Sequence, residues 1–94
     1  MAYRLSYGTV RESDRQAIYV LRIHGEVLDA AEIDDLSGRM RDYVHSRGEI
    51  ATDVVVVQGD VKETLRLFGN PYSVSRVRAA MFNAALRFAP INLE

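Results

Sequence analysis

One local pattern occurs twice in the chain, and this repetition constrains the fold more than any other feature. Leu21-Arg22-Ile23-His24-Gly25 is followed by a short loop, an acid at Asp29 and a run with helical apolar spacing. Leu65-Arg66-Leu67-Phe68-Gly69 is followed by Asn70-Pro71-Tyr72-Ser73 and a second such run, reaching Phe88. Laid on one another, the stretches match Gly25 with Gly69, Asp29 with Ser73, Ile33 with Val77 and Met40 with Ala84. Each copy predicts the order strand, glycine, cap, helix.

Other elements join these in chain order. Residues 3–10 alternate, with Tyr3, Leu5, Tyr7 and Thr9 on one side and Arg4, Ser6 and Gly8 on the other. That pattern predicts a half-buried strand, and with 17–24 it forms a hairpin across the polar stretch from Arg11 to Gln16. Asp29 caps the first helix, with Glu32 in capping-box position. Ile33, Leu36, Met40, Tyr43 and Val44 form its apolar stripe. Glu32, Asp34 and Asp35 lie early, Arg39, Arg41, His45 and Arg47 lie late, and Gly48 stops it. Val54-Val55-Val56-Val57 is too short for a helix and suits a central strand. Asp60-Val61-Lys62-Glu63 opens either a short helix or, after a Gly59-Asp60 turn, a returning strand over 63–68. The internal match favours the strand, antiparallel to Val54–Val57. The last helix is capped by Ser73, carries Val74, Val77, Met81, Ala84, Ala85 and Phe88 on one stripe, and stops at Pro90. Its other side is also apolar (Ala79, Phe82, Leu86), so it requires cover on two sides.

The resulting order, ββα-ββα, predicts an α+β domain. The expected form is a two-layer sandwich: a four-stranded, mostly antiparallel sheet with two main helices on one face. Leu36, Met40, Val77, Met81 and Ala84 are the expected contacts between helices and sheet. At 94 residues the chain makes one small domain, placed at 1–92, with Leu93-Glu94 resembling a cloning scar. A chain this size buries only roughly 60–65% of its unfolded surface, so a partner subunit would add useful burial.

Charge and composition exclude more than they assign. The net charge is −1, which gives no global pull toward nucleic acid or an anionic membrane. Eleven of the twelve basic residues are arginine, Lys62 being the exception. A GC-rich genome or bidentate anion recognition each accounts for this. With no cysteine there is no disulfide framework or thiolate chemistry. No leader and no membrane-length apolar run is visible, so a bacterial cytoplasmic setting is expected. No cofactor and no metal is expected, because Asp29, Glu32, Asp34 and Asp35 spread around two helical turns instead of converging. His24 and His45 have no acid–histidine–nucleophile spacing around them, so no catalytic residue is assigned and a non-enzymatic domain is expected.

Two surfaces remain as candidates. On the sheet face away from the helices, Ile18, Val20, Arg22, His24, Thr64, Arg66 and Phe68 are expected together. Arg22, His24, Arg66 and Phe68 form its candidate binding face, suited to self-association or to stacking and phosphate pairing with a single strand. Ala79, Phe82 and Leu86 form the candidate association surface. Homodimerisation, or docking of a protein partner, is the leading functional expectation. The alternative is a nucleic-acid or anionic-ligand binding module. The loop from Gly69 to Arg76 reads as an ordinary turn and cap, since it holds no Walker or dinucleotide glycine pattern. The order strand, glycine, acid-capped helix resembles the opening of sulfate-transporter and anti-sigma-antagonist domains. The serine motif following their next strand is absent, since Val57 precedes Gln58-Gly59-Asp60, and the chain is not assigned to them.

Overall fold

The computed structural model describes residues 3–14, 16–49, 53–58, 65–68 and 72–93, with 65–68 described by backbone alone. Strands β1 (Tyr3–Arg11) and β2 (Ala17–Gly25) pair antiparallel, Tyr3 opposite Gly25 and Arg11 opposite Ala17. Helix α1 (Ala30–Ser46) follows, then β3 (Asp53–Gln58), β4 (Leu65–Phe68), α2 (Tyr72–Phe82) and the two-residue β5 (Ala89–Pro90). The class is α+β, as the pattern predicts. β4 returns antiparallel to β3, with Val54 opposite Phe68 and Val57 opposite Leu65. Positions 63 and 64 of the expected strand lie outside the described residues.

The sheet order is β4-β3-β2-β1-β5, and the sheet is mixed instead of mostly antiparallel. β2 and β3 run parallel from Ile18 opposite Asp53 to Ile23 opposite Gln58. The physical reason is α1, which spans the connection and carries the chain back to the end where β2 began. The internal match therefore stops at local structure: β2 is central, while β4, among the described residues, lies at the edge of the sheet beside β3.

The two helices pack on opposite faces, which corrects the expected two-layer arrangement. Ile33, Leu36, Met40 and Val44 of α1 cluster with Tyr19, Leu21, Val54 and Val56. Val77 of α2 clusters with the alternate residues Ile18, Val20, Val55 and Val57, and Met81 packs beside it. Both central strands are apolar in both phases of the pleat, and each phase requires a cover. The expected core set is thus split: Leu36 and Met40 lie in one cluster, Val77 and Met81 in the other, and Ala84, beyond the end of α2, is exposed.

Local caps explain where α1 begins and ends. Asp29 Oδ1 accepts the Glu32 N–H at 2.9 Å. At the other end the Glu49 N–H reaches Val44 O at 3.2 Å and the Gly48 N–H reaches His45 O at 3.0 Å. Gly48, at φ 74°, supplies the left-handed residue of this Schellman stop. Gln58, the last residue of β3, pins the loop entering α1: its Nε2 donates to Leu28 O and its Oε1 accepts the Leu28 N–H.

Helix α2 ends at Phe82, six residues short of the expected Phe88. The Ala85 N–H bonds Ala80 O at 2.8 Å and the Ala84 N–H bonds Met81 O at 3.1 Å, again a Schellman pattern. Here an alanine, Ala84, takes the left-handed position at φ 54°. Residues 85–88 then run in irregular backbone to the β1 edge, where Ala89 lies opposite Tyr7 and Pro90 opposite Ser6. Leu86 and Phe88 pack on the α2 face, whereas Ile91 and Leu93 pack on the α1 face. The tail therefore wraps the edge of the sheet. Pro90, expected to stop a helix, sits in an edge strand, where a residue without an N–H is tolerated. Ser73, expected as a cap, lies inside α2 and donates its hydroxyl to Asp53.

Candidate functional site

The α2 face of the sheet ends in a polar corner. Arg4 stands opposite His24, and Ser6 stands opposite Arg22, two successive same-phase pairs of the β1–β2 ladder. Opposed side chains in such a ladder have Cβ atoms about 4.5–5.5 Å apart. Four donors therefore occupy one small square. Ser6 is buried, Arg22 and His24 are half-buried, and Arg4 is exposed. Ser6 Oγ and His24 Nε2 share a hydrogen bond of 2.8 Å. The Arg22 guanidinium lies 5.5 Å from the centroid of the Phe88 ring, held there by cation–π attraction.

Electrostatics at this corner favour the neutral imidazole. Burial pushes the His24 pKa below its ordinary value, and the charges of Arg22 and Arg4 push it the same way. No ion pair joins Arg4 or Arg22 to a carboxylate among the described residues.

Only part of the expected binding face is brought together here. Arg22 pairs with Val57, but Arg66 pairs with Val56 and Phe68 with Val54. Strand positions 22 and 66 thus fall in opposite phases of the pleat. The side chains of 65–68 lie outside the described residues, as does position 64. Ile18 and Val20, expected on an open face, are buried beneath α2. Sequence reasoning missed Ser6 and Arg4 as companions of His24, although the alternation of β1 already put both on one side.

The second candidate is the outer side of α2. Phe82 is 91% exposed and Tyr72 is 63% exposed, among the largest apolar exposures described. Ala79 is exposed between them. Leu86, expected on this surface, belongs instead to the tail and is half-buried against the α2-face core. Ile91 does not shield Phe82, since it packs on the other face of the sheet. Arg76 is drawn aside by Glu12, whose carboxylate accepts from its Nη2 at 2.6 Å.

An open groove of about 760 Å³ lies between α1, the start of β1 and the tail, lined in part by Leu36, Ile91 and Leu93 with Glu32, Asp35 and Arg39. Arg39 already donates to Asp35 at 3.0 Å and to Leu93 O at 3.3 Å, so its charge is partly satisfied internally. The described residues contain no group of three metal-ligating side chains and no helix long and apolar enough to cross a membrane. No protein-family model, curated protein or solved structure matches the chain.

Proposed function

We propose that the protein is a small cytoplasmic domain that works by associating with a second copy of itself through the outer side of α2. The observation that carries this reading is Phe82, 91% exposed near the end of that helix. Tyr72 lies ten residues earlier, close to three helical turns, and Ser75 and Ala79 are the small exposed residues between. Two such helices crossing antiparallel about a two-fold axis bring Phe82 of one onto Tyr72 of the other. The small residues in the middle let the backbones approach.

The magnitudes point to a weak pair. Burying two Phe82 and two Tyr72 side chains gains roughly 6–12 kcal/mol at about 1.5–3 each. The cost of association, about 4–15 kcal/mol, offsets much of it. The most favourable balance, about 8 kcal/mol, corresponds to a dissociation constant of about 1 μM, and that is the tightest pair these side chains alone support.

Sedimentation equilibrium across a wide concentration range tests the reading. The parent is expected to approach twice the monomer mass, while Phe82→Ser and Ala79→Glu stay monomeric with unchanged circular dichroism. A parent that remains monomeric at the highest concentration sinks the proposal. So does a Phe82→Ser variant that associates as the parent does.

A further inference from the structure

We propose that Arg4, Ser6, Arg22 and His24 form a binding site for a tetrahedral oxyanion of the phosphate-monoester or sulfate class. The site lies on the α2 face of the sheet, at the corner where β1 begins and β2 ends. It is independent of association through α2, whose exposed side faces away from the sheet.

Three observations converge. First, the ladder register sets all four side chains in one square, Arg4 across from His24 and Ser6 across from Arg22. All four are hydrogen-bond donors, and two carry permanent charge. Second, this gathering of positive charge has no paired carboxylate among the described residues. The two guanidinium charges disfavour a third charge on the half-buried imidazole, and a bound anion opposes that effect. Third, Arg22 is positioned in advance, because its guanidinium rests against the Phe88 ring at 5.5 Å. A fork held in one orientation loses little freedom on meeting an oxyanion. The bland alternative, an arginine stem covering an apolar edge, accounts for Arg22 alone. It does not account for Arg4, Ser6 and His24 around it.

The Ser6–His24 hydrogen bond gives the site a proton switch. In the free protein, burial and the charges of Arg22 on its own strand and Arg4 on β1 disfavour the imidazolium. The tail adds the uncharged Phe88 ring, and the nearest described β3 residues, Val57 and Gln58, are uncharged. A dianion placed between the guanidinium groups opposes those charges and draws a proton from solvent onto His24. Nε2–H then donates to Ser6 Oγ, and the Ser6 hydroxyl proton turns to the anion. Binding is therefore coupled to proton uptake, and affinity rises as pH falls.

Sulfate is the probe, because it keeps its charge over the range from about pH 5 to 8 in which an unperturbed histidine titrates. The His24 ring resonances are followed by NMR while sulfate is added to about 10 mM, a span suited to millimolar affinity. His45, in the last turn of α1, is the internal control in the same spectra. Chloride at matched ionic strength corrects for screening. The expected result is a saturable shift at His24 alone, tightening toward low pH, with inorganic phosphate competing for the same site. Arg4→Gln and Arg22→Gln should each weaken binding about tenfold or more. Arg4 is exposed, so Arg4→Gln is expected to keep the parent amide spectrum. The proposal is overturned by any of three results: no saturable shift at His24, parallel movement of His45, or parent-like affinity in Arg4→Gln.

Discussion

The carbonyl oxygen of Arg87 crosses Gly8 so closely that a Cβ on Gly8 would lie 2.8 Å from it. That approach is what lets the tail leave α2, pass over β1 on the α2 face, and reach the sheet edge at Ala89. Leu86 Cδ2 lies 3.5 Å from the same point, so the crossing is packed on more than one side. Any side chain at position 8 has to move backbone, which is costlier than moving a flexible side-chain end.

Gly8→Ala should therefore cost about 1–3 kcal/mol, the range for overpacking a close contact. The loss should concentrate in the tail. The Ile91 N–H, bonded to Leu5 O at 3.1 Å, is expected to exchange with solvent faster in the variant, while amides of α1 keep their protection. Unchanged stability together with unchanged Ile91 exchange would show that the crossing is looser than this.

Ala84 makes the opposite case. Its φ of 54° puts a Cβ where glycine is the usual residue in a Schellman stop. A left-handed alanine costs about 1–2 kcal/mol, and part of that returns when the Cβ is removed. Ala84→Gly should stabilise the protein by roughly 0.5–1 kcal/mol after the added freedom of the unfolded chain is subtracted. Ala85→Gly, one residue on, should not stabilise at all. Urea midpoints for the two variants decide the matter, and a gain in both would point away from backbone strain.

This stop also explains what the sequence conceals. Ala84 and Ala85 are good helix formers, and Val77, Met81, Ala84 and Phe88 keep helical spacing, so local preference continues the helix to Phe88. Tertiary contacts decide otherwise: Leu86 and Phe88 pack on the α2 face and Ala89 pairs with β1. The first helix was legible because every signal agrees, from the cap at Asp29 to the stop at Gly48. The strands were legible from alternation and from the valine run. The face of the second helix was not chosen by its own sequence. It was written in β2, where Ile18 and Val20 are as apolar as Tyr19 and Leu21, and such a strand cannot leave one face in water. At the candidate site, Arg22 and His24 were visible from alternation. The contribution of β1 emerged only with the register that sets Ser6 and Arg4 beside them.

Gln58 stands in for a strand partner at the mouth of α1. Its amide donates to Leu28 O at 3.1 Å and accepts the Leu28 N–H at 2.8 Å, both buried. Gln58→Ala leaves two buried backbone groups without partners, and each such loss costs about 1–3 kcal/mol. A total of about 2–4 kcal/mol is expected, since water entering the vacated space satisfies part of the loss. Gln58→Glu keeps the acceptor and removes the donor, so it should fall between parent and alanine at high pH only if the charge is tolerated. Chemical denaturation of both variants measures this, and a cost below about 1 kcal/mol for Gln58→Ala would mean the loop is held by Leu28 packing instead.

Tyr19 gives the protein a limit on the alkaline side. Its ring is buried on the α1 face, and its hydroxyl donates to a carboxylate oxygen of Glu49. Burial first, then the hydrogen bond and charge of Glu49, raise its pKa from 10.0 to about 12, while Arg11 pulls weakly the other way. The sign follows from which form the fold prefers. The neutral phenol is favoured in the folded state, so its stabilising contribution is complete below pH 10.0 and is lost as pH rises through about 12. Two pH units correspond to roughly 2–3 kcal/mol, and about 2 is the expected size because Glu49 itself is exposed to solvent. Tyr19→Phe cannot ionise and should lack this loss. The difference between parent and variant reports on position 19 and its direct partners Glu49 and Arg11. Urea unfolding at about pH 9 and about pH 11.5 should show the parent's advantage over Tyr19→Phe shrinking by about 2 kcal/mol. An advantage that stays constant across that interval would mean the phenol meets the same environment folded and unfolded, and that Glu49 does not hold it.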